Sequence, residues 1–195
     1  MRYNIDKSLQ EKVKKATAIL NQGGIILYPT DTIWGIGCDA TNPEAVKKIY
    51  DIKNRNDAKS MIVLAKDMVM VERYVEKVPE IADQLIEITE KPLTIIYPNA
   101  INLAKNVIAE DGSIGIRIPN HTFCQQLLYH FRKPLVSTSA NLSGIGAPST
   151  LAEISQDIKS AVDWIADSKY ENESSRKASS IIKLSISGEV KIIRE

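Results

Sequence analysis

Small polar side chains crowd one short stretch of the chain. Residues 134–144, PLVSTSANLSG, open like a buried strand and then supply Ser137, Thr138, Ser139 and Asn141. Each such group costs about 1–3 kcal/mol when it is buried without a partner. A capping role for Ser139 or Asn141 would account for one of them but not for all four. The residue types alone therefore leave the purpose of this segment open.

Three cations follow the end of a predicted helix. Lys53, Arg55 and Lys59 lie within seven residues. A guanidinium binds polyphosphate or carboxylate oxygens in a bidentate way, and an ammonium acts as a point charge. Lysine and arginine also suit the C-terminal end of a helix dipole. The cluster indicates either an anion site or an ordinary solvated helix end.

The segment SIGIRIP, residues 113–119, alternates like a strand. A period of two places Ser113, Gly115 and Arg117 on one face and the isoleucines on the other. The polar face is typical of an anion clamp beside a glycine gap. A half-exposed strand that carries one arginine is the alternative.

A polar turn follows another buried strand. The residues PTDT bring Thr30, Asp31 and Thr32 directly after the apolar run at 25–29. Ligands of α/β folds often bind at strand ends. A turn that hydrogen-bonds only to its own backbone would use the same residue types.

Several common chemistries lack their motifs. The chain has no GxxxxGK[ST], GxGxxG or GxSxG segment. Its two histidines, His121 and His130, argue against a histidine-rich metal site and a hydrolase triad. Cys38 and Cys124 have no CxxC spacing and are interpreted as reduced thiols. We expect no protein-bound metal and no tightly bound organic cofactor.

The elements that position these residues mix helices and strands without strict alternation, which predicts one α/β domain with a mixed sheet. Periodicity, glycines and prolines predict helices over 8–22, 43–52, 79–89 and 122–131. Strands are predicted over 25–29, 60–65, 92–98 and 113–119, from Leu135, and in three runs near the C-terminus. The serine-rich segment 168–180 is interpreted as a solvated connection, with a mobile loop over a site as the alternative.

Composition restricts the partners. The 195 residues are 44% hydrophobic and 25% charged, which is ordinary for one globular domain. A net charge of +1 gives no global attraction to nucleic acid or to an anionic membrane. Because no signal-like segment or long apolar run is present, we expect a cytoplasmic protein without a membrane partner.

Taken in order, these motifs resemble the YrdC-like threonylcarbamoyl-AMP synthase family. PTDTIWGIG, KNR, IGIRIP with His121, and STSANLSG follow one another between Gly24 and Arg194. The family signatures KxR and SxN correspond to residues 53–55 and 139–141. The resemblance implies one twisted, mixed sheet flanked by helices with a concave binding face. It also implies a single domain over residues 1–195, without the extra C-terminal domain of longer members.

The resemblance implies a reaction in which L-threonine, bicarbonate and ATP give threonylcarbamoyl-AMP and pyrophosphate for tRNA modification. Mg²⁺ would enter with ATP, and tRNA or tRNA-modifying proteins would be partners. Thr32, Arg117 and Ser137 would contact threonine. Lys53 and Arg55 would position the reactants and stabilise charge without a covalent nucleophile. The nucleotide would be bound by Arg55, Lys59, Ser113, Ser139, Asn141, Ser149, Ser180 and Arg194.

The sequence departs from the family pattern at three positions. Asn56 and Ser60 stand where prolines are usual, and Leu64 stands where some members have a threonine-contacting histidine. Two alternatives therefore accompany the synthase hypothesis. One is a module that binds double-stranded RNA or tRNA without catalysis, and the other is a nucleotide-binding paralogue that lacks this activity.

Overall fold

The computed structural model describes residues 7–53, 61–142 and 144–195, and the strands in these ranges form one nine-stranded mixed sheet. The strands are β1 (Ile26–Tyr28), β2 (Gly35–Gly37), β3 (Ile62–Leu64), β4 (Leu93–Tyr97), β5 (Ile114–Arg117), β6 (Leu135–Ser139), β7 (Trp164–Ile165), β8 (Ser180–Leu184) and β9 (Val190–Arg194). The α-helices are α1 (Lys7–Asn21), α2 (Pro43–Lys53), α3 (Met68–Val71), α4 (Ile81–Ile88), α5 (Thr122–Phe131) and α6 (Gln156–Ala161). The predicted α/β fold is confirmed.

The sheet has the order β7-β1-β2-β6-β3-β5-β4-β8-β9. The pairs β1–β7, β3–β5 and β4–β8 are parallel, and the other neighbouring pairs are antiparallel. Strand β6 has two partners, because residues 138–139 pair with β2 and residues 135–137 pair with β3. The hydroxyl-rich segment thus lies at the centre of the sheet. Ser137, Thr138 and Ser139 belong to β6 itself, whereas the sequence had suggested that they follow a strand; only Asn141 comes after it.

The main helices form where their caps and apolar faces predict them. Helix α1 buries Leu9, Val13, Ala16 and Leu20, and ends at Asn21, two residues before Gly23, whose φ of +73° suits glycine. Helix α2 follows Asn42, whose Oδ1 accepts hydrogen bonds from the N–H groups of Glu44 and Ala45 at 3.0 and 3.2 Å. Helices α3 and α6 are the two that were not predicted. No helix in the described ranges is both long and apolar enough to cross a bilayer.

Strand β5 separates the core from the concave face, as its alternation predicted. Ile114 and Ile116 are buried in the core. Gly115 and Arg117 instead line cavities on the opposite face. This alternation turns the only cation of the strand towards the concave face.

Candidate functional site

The concave face holds a cavity of about 340 Å³, and the C-terminal strands of the sheet form part of its wall. This volume lies in the usual range for small-molecule sites. Strands β2, β3, β5, β6, β8 and β9 contribute to its wall, together with the turn after β1. The predicted site residues on this wall are Thr32, Arg117, Ser137, Ser139 and Arg194.

Arg117 is the buried cation of the cavity, with only 4% of its surface exposed. Its Nη2 lies 3.4 Å from the hydroxyl of Thr30 and 3.3 Å from Asp31 Oδ1. Among the described residues, neither Arg117 Nε nor Asp31 Oδ1 has a hydrogen-bond partner, so this ion pair is close but poorly aligned. An unpaired buried N–H costs about 1–3 kcal/mol. A guanidinium on a cavity wall with a poorly aligned partner is suited to bind an anionic ligand.

The turn after β1 directs the hydroxyls of Thr30 and Thr32 towards the cavity. Thr30 Oγ1 donates to the carbonyl of Ile33 at 2.8 Å and accepts from the N–H of Thr32 at 3.1 Å. The two threonine hydroxyls are 2.8 Å apart, and both residues line the cavity. The turn therefore does bond to its own backbone and also presents polar groups to the site.

Gly35 and Ser137 form the floor between β2 and β6. A Cβ on Gly35 would lie 3.2 Å from Ser137 Oγ, so a larger residue would crowd this hydroxyl. Beneath them, Tyr28 donates to the carbonyl of Val136 at 3.3 Å. Burial raises the pKa of Tyr28 well above its usual value, so the phenol stays neutral and remains a donor.

A smaller cavity of about 190 Å³ adjoins the first and shares Met61, Ile62 and Ile181 with it. Ser113 lines this second space and donates to Asp111 Oδ1 at 2.6 Å. A Cβ on Gly115 would lie 3.0 Å from Ile62, which explains the predicted glycine gap. Together the two cavities extend along the sheet from Arg117 to Ser113, as an elongated ligand requires.

Lys53 connects the two signature segments. Its side chain is buried, and Nζ donates to the carbonyl oxygens of Ser139 and Asn141, the second at 2.7 Å. The amide of Asn141 in turn donates to the carbonyls of Leu142, at 3.1 Å, and Ile145. These contacts favour a positioning role for Lys53 and Asn141, which hold the loop after β6.

The C-terminal strands add an arginine and a serine. Arg194 donates through Nε and Nη2 to the carbonyl of Ser179, at 3.0 and 2.7 Å. Ser179 lines the cavity, and its hydroxyl lies 2.8 Å from that of Thr94. Ser180, the predicted residue, does not line the cavity, because it shares a face of β8 with the core residue Ile182. Ser179 takes its place on the wall.

The remaining predicted positions are distributed as follows. Ser149 lies outside both cavities, and its N–H donates to Glu153 at 2.8 Å. Leu64 pairs with Arg117 in the sheet and is fully buried. Arg55, Asn56, Lys59 and Ser60 fall outside the described residues.

The serine-rich segment makes contacts that the sequence did not indicate. We define the strap as residues 170–177. Its Ser174 hydroxyl donates to the carbonyl of Thr32, and the N–H of Ser175 donates to the carbonyl of Asp31 at 2.9 Å. Residues 172–175 of the strap, together with Asp31, line a further hollow of about 590 Å³. The interpretation of this segment as a mere solvated connection was wrong.

Known proteins share this architecture. A family model that covers Sua5, YciO and YrdC proteins, described as "Telomere recombination", matches residues 18–195. The chain belongs to the Sua5/YciO/YrdC family. The resemblance seen in the sequence motifs is thereby confirmed.

Curated relatives of this Sua5/YciO/YrdC protein are named threonylcarbamoyl-AMP synthase. The protein from Pseudoalteromonas translucida (strain TAC 125) is 33% identical over 161 residues, which are 81% of this chain and 86% of the relative. The Homo sapiens protein is 33% identical over 189 residues, which are 94% of this chain and 67% of the relative.

Solved structures of the Sua5/YciO/YrdC family show the same fold. Sua5 of P. abyssi complexed with L-threonine superposes with a TM-score of 0.83 at 24% identity, covering 90% of this chain and 51% of that one. YciO of E. coli superposes with a TM-score of 0.79 at 24% identity, covering 95% and 89%. The present chain therefore spans about half the length of the P. abyssi Sua5 chain.

Proposed function

We propose that the chain is a threonylcarbamoyl-AMP synthase that converts L-threonine, bicarbonate and ATP into threonylcarbamoyl-AMP and pyrophosphate. The buried guanidinium of Arg117 on the cavity wall, beside the hydroxyls of Thr30 and Thr32, is the observation that carries the proposal. Two further facts support it: the chain is 33% identical to named synthases, and a structural neighbour was solved with L-threonine.

The threonine end lies in the deeper part of the cavity. Arg117 would bind the carboxylate, because a guanidinium offers two parallel donors to two oxygens. Thr32 and Ser137 flank this position with hydroxyls that are almost fully buried. Buried polar groups of this kind reject ligands that leave them unpaired, so the pocket favours an amino acid of matching polarity.

The nucleotide would extend from Ser139 along the sheet. Ser113 and Arg194 lie on or beside this path, and Ser179 joins them on the wall. Arg55 and Lys59 would add cations at the phosphates, as the family pattern implies. Lys53 and Asn141 would act indirectly, by fixing the loop that follows β6.

The chemistry needs proximity and charge stabilisation rather than a nucleophilic side chain. The amine of threonine attacks the carbon of bicarbonate, water leaves, and a carbamate forms. A carbamate oxygen then attacks the α-phosphorus, and the bond to the bridging oxygen of pyrophosphate breaks. Holding the reactants together supplies several kcal/mol of the barrier. Cations near the phosphates stabilise the charge that develops on their oxygens.

Mg²⁺ would arrive bound to ATP and is treated as part of that substrate. The described residues contain no group of three or more His, Cys, Asp or Glu side chains arranged for a metal. The product would serve tRNA modification in the cytoplasm, with tRNA or a tRNA-modifying protein as the next partner.

The test is incubation of the protein with L-threonine, bicarbonate and ATP. We expect pyrophosphate release that depends on threonine, together with a product of the mass of the mixed anhydride. Omission of bicarbonate is the control. ATP binding without any threonine-dependent product would reject the synthase proposal and favour a nucleotide-binding paralogue.

A further inference from the structure

The strap holds the outer side of the turn that carries Thr32. The inner side of this turn presents the hydroxyls of Thr30 and Thr32 to the cavity. Two outer carbonyls, those of Asp31 and Thr32, accept hydrogen bonds from Ser175 and Ser174 of the strap. The turn is therefore fixed from both sides.

The strap is itself anchored to helix α5. His121 Nδ1 accepts from the N–H of Cys124, so Nε2 carries the proton and donates to the carbonyl of Tyr170 at 3.0 Å. Glu173 accepts from the N–H of Thr122 at 2.6 Å. The ring of Tyr170 packs on Phe123 with centroids 5.3 Å apart. A strap with these attachments can resist movement of the turn.

Only one side chain of the strap reaches the turn through a hydroxyl. Ser174 Oγ donates to the carbonyl of Thr32 and accepts from the N–H of Arg176 at 3.2 Å. Ser175 contacts the turn through its backbone N–H, which a side-chain substitution leaves in place. The contribution of Ser174 can therefore be removed selectively.

We propose that Ser174 is a positioning residue for the amino-acid substrate. Its hydroxyl fixes the carbonyl of Thr32 and so keeps the Thr32 hydroxyl and the Thr30 contact of Arg117 in their binding geometry. The proposal rests on the proposed synthase function and deepens it. It assigns the strap to the threonine end of the site rather than to the nucleotide end, since Asp31 and Thr32 are the residues it holds.

The experiment compares Ser174→Ala with Ser174→Thr, which keeps a hydroxyl. Loss of one hydrogen bond at a buried turn should raise the KM for L-threonine about tenfold in Ser174→Ala. The KM for ATP should change by less than about twofold, because the Ser174 hydroxyl makes no hydrogen bond to those predicted nucleotide residues that the structure describes. Ser174→Thr should recover most of the threonine affinity. Ser168→Ala, an exposed serine just before the strap, is the matched control and should behave like the wild type.

Two results would overturn the proposal. One is an unchanged threonine KM in a folded Ser174→Ala protein. The other is an equal rise in both KM values with a lower thermal midpoint, which would mean a merely structural role.

A measurement on the wild type keeps the test independent of variant folding. Threonine should slow hydrogen exchange at the Ser175 amide, and ATP alone should not; no slowing with threonine would also overturn the proposal. Failure of the synthase proposal is distinguishable, since it shows as a wild type that binds threonine but releases no pyrophosphate.

Discussion

Two arginines line the same cavity, one from an interior strand of the sheet and the other from an edge strand. Arg117 lies on β5 inside the sheet, is 4% exposed and pairs with a buried carboxylate. Arg194 lies on the edge strand β9, all five residues of which are exposed, and is held by one backbone carbonyl. The same guanidinium group is thus buried beside a carboxylate in one region and exposed on an edge strand in the other. We expect the first to couple function to stability and the second to affect function alone.

Replacing Arg117 should have the largest effect. Arg117→Ala leaves Asp31 buried without its cation, which typically costs about 3–5 kcal/mol of folding free energy. The same change should reduce threonine affinity by at least about 100-fold. Chemical denaturation and calorimetric titration with L-threonine measure the two effects.

A second substitution separates these effects. Asp31→Asn in the Arg117→Ala background removes the buried, unpaired carboxylate charge. It should therefore recover much of the free energy of unfolding but not the threonine affinity. Wild-type threonine binding by this double variant would contradict the role of Arg117.

Replacing Arg55 tests the nucleotide end through the KxR signature. Arg55→Ala should abolish most threonine-dependent pyrophosphate release, while the free energy of unfolding changes by only a few tenths of a kcal/mol. Arg55→Lys keeps the charge but loses the bidentate fork, so it should rescue part of the activity. Circular dichroism verifies folding. Wild-type turnover in a well-folded Arg55→Ala protein would move the nucleotide site away from this segment.

Replacing Arg194 should have a moderate effect that is confined to ATP. Arg194→Ala should raise the KM for ATP about fivefold, which corresponds to one exposed charged contact. The unfolding free energy should change by less than about 0.5 kcal/mol. Lys191→Ala, an exposed cation on the same strand, is the control. An equal rise in the threonine KM would remove the contrast between the two arginines.

The smallest effect concerns pH. Burial lowers the pKa of His121 in the folded protein, an effect that Arg117 reinforces and that Glu173 and Asp31 oppose. As pH falls, the unfolded chain therefore takes up the imidazole proton at a higher pH than the folded protein does. The contribution of neutral His121 to the free energy of unfolding is complete above about pH 6.5 and is lost as pH falls towards the folded pKa. His121→Gln should flatten the acid limb of a stability–pH curve, and the exposed His130→Gln should not. Equal slopes for wild type and His121→Gln would contradict a neutral, buried imidazole.

Local patterns predicted the elements and much of the cavity wall. Helix α5 has the predicted bounds, and the face of β5 that carries Arg117 follows directly from a period of two. The short helices α3 and α6 lacked sufficient length for a periodic signal. At the start of β8, the choice between Ser179 and Ser180 depended on which face meets the core, which two adjacent serines do not reveal.

Contacts between distant segments could not be predicted from the sequence. Asp31 was interpreted only as part of a polar turn, yet it lies beside Arg117 on another strand. Ser174 reaches Thr32 across 142 positions of the chain, and serine-rich composition contains no signal for that contact. The family resemblance correctly identified the fold and the relatives, whereas the strap became visible only through its hydrogen bonds.

The position of β6 has a consequence for the order in which the protein is assembled. In the sheet, β7, β1 and β2 lie on one side of β6, and β3, β5, β4, β8 and β9 lie on the other. A nascent chain that has not yet reached residue 139 can form local hairpins and helices but cannot join the two halves. Because such long-range pairing is costly in loop entropy, we expect folding to be slow until β6 docks. Ribosome-bound chains that end before Leu135 should therefore remain sensitive to proteases, and protection of β1 to β5 should appear once β6 has left the exit tunnel, before β7, β8 and β9 are added.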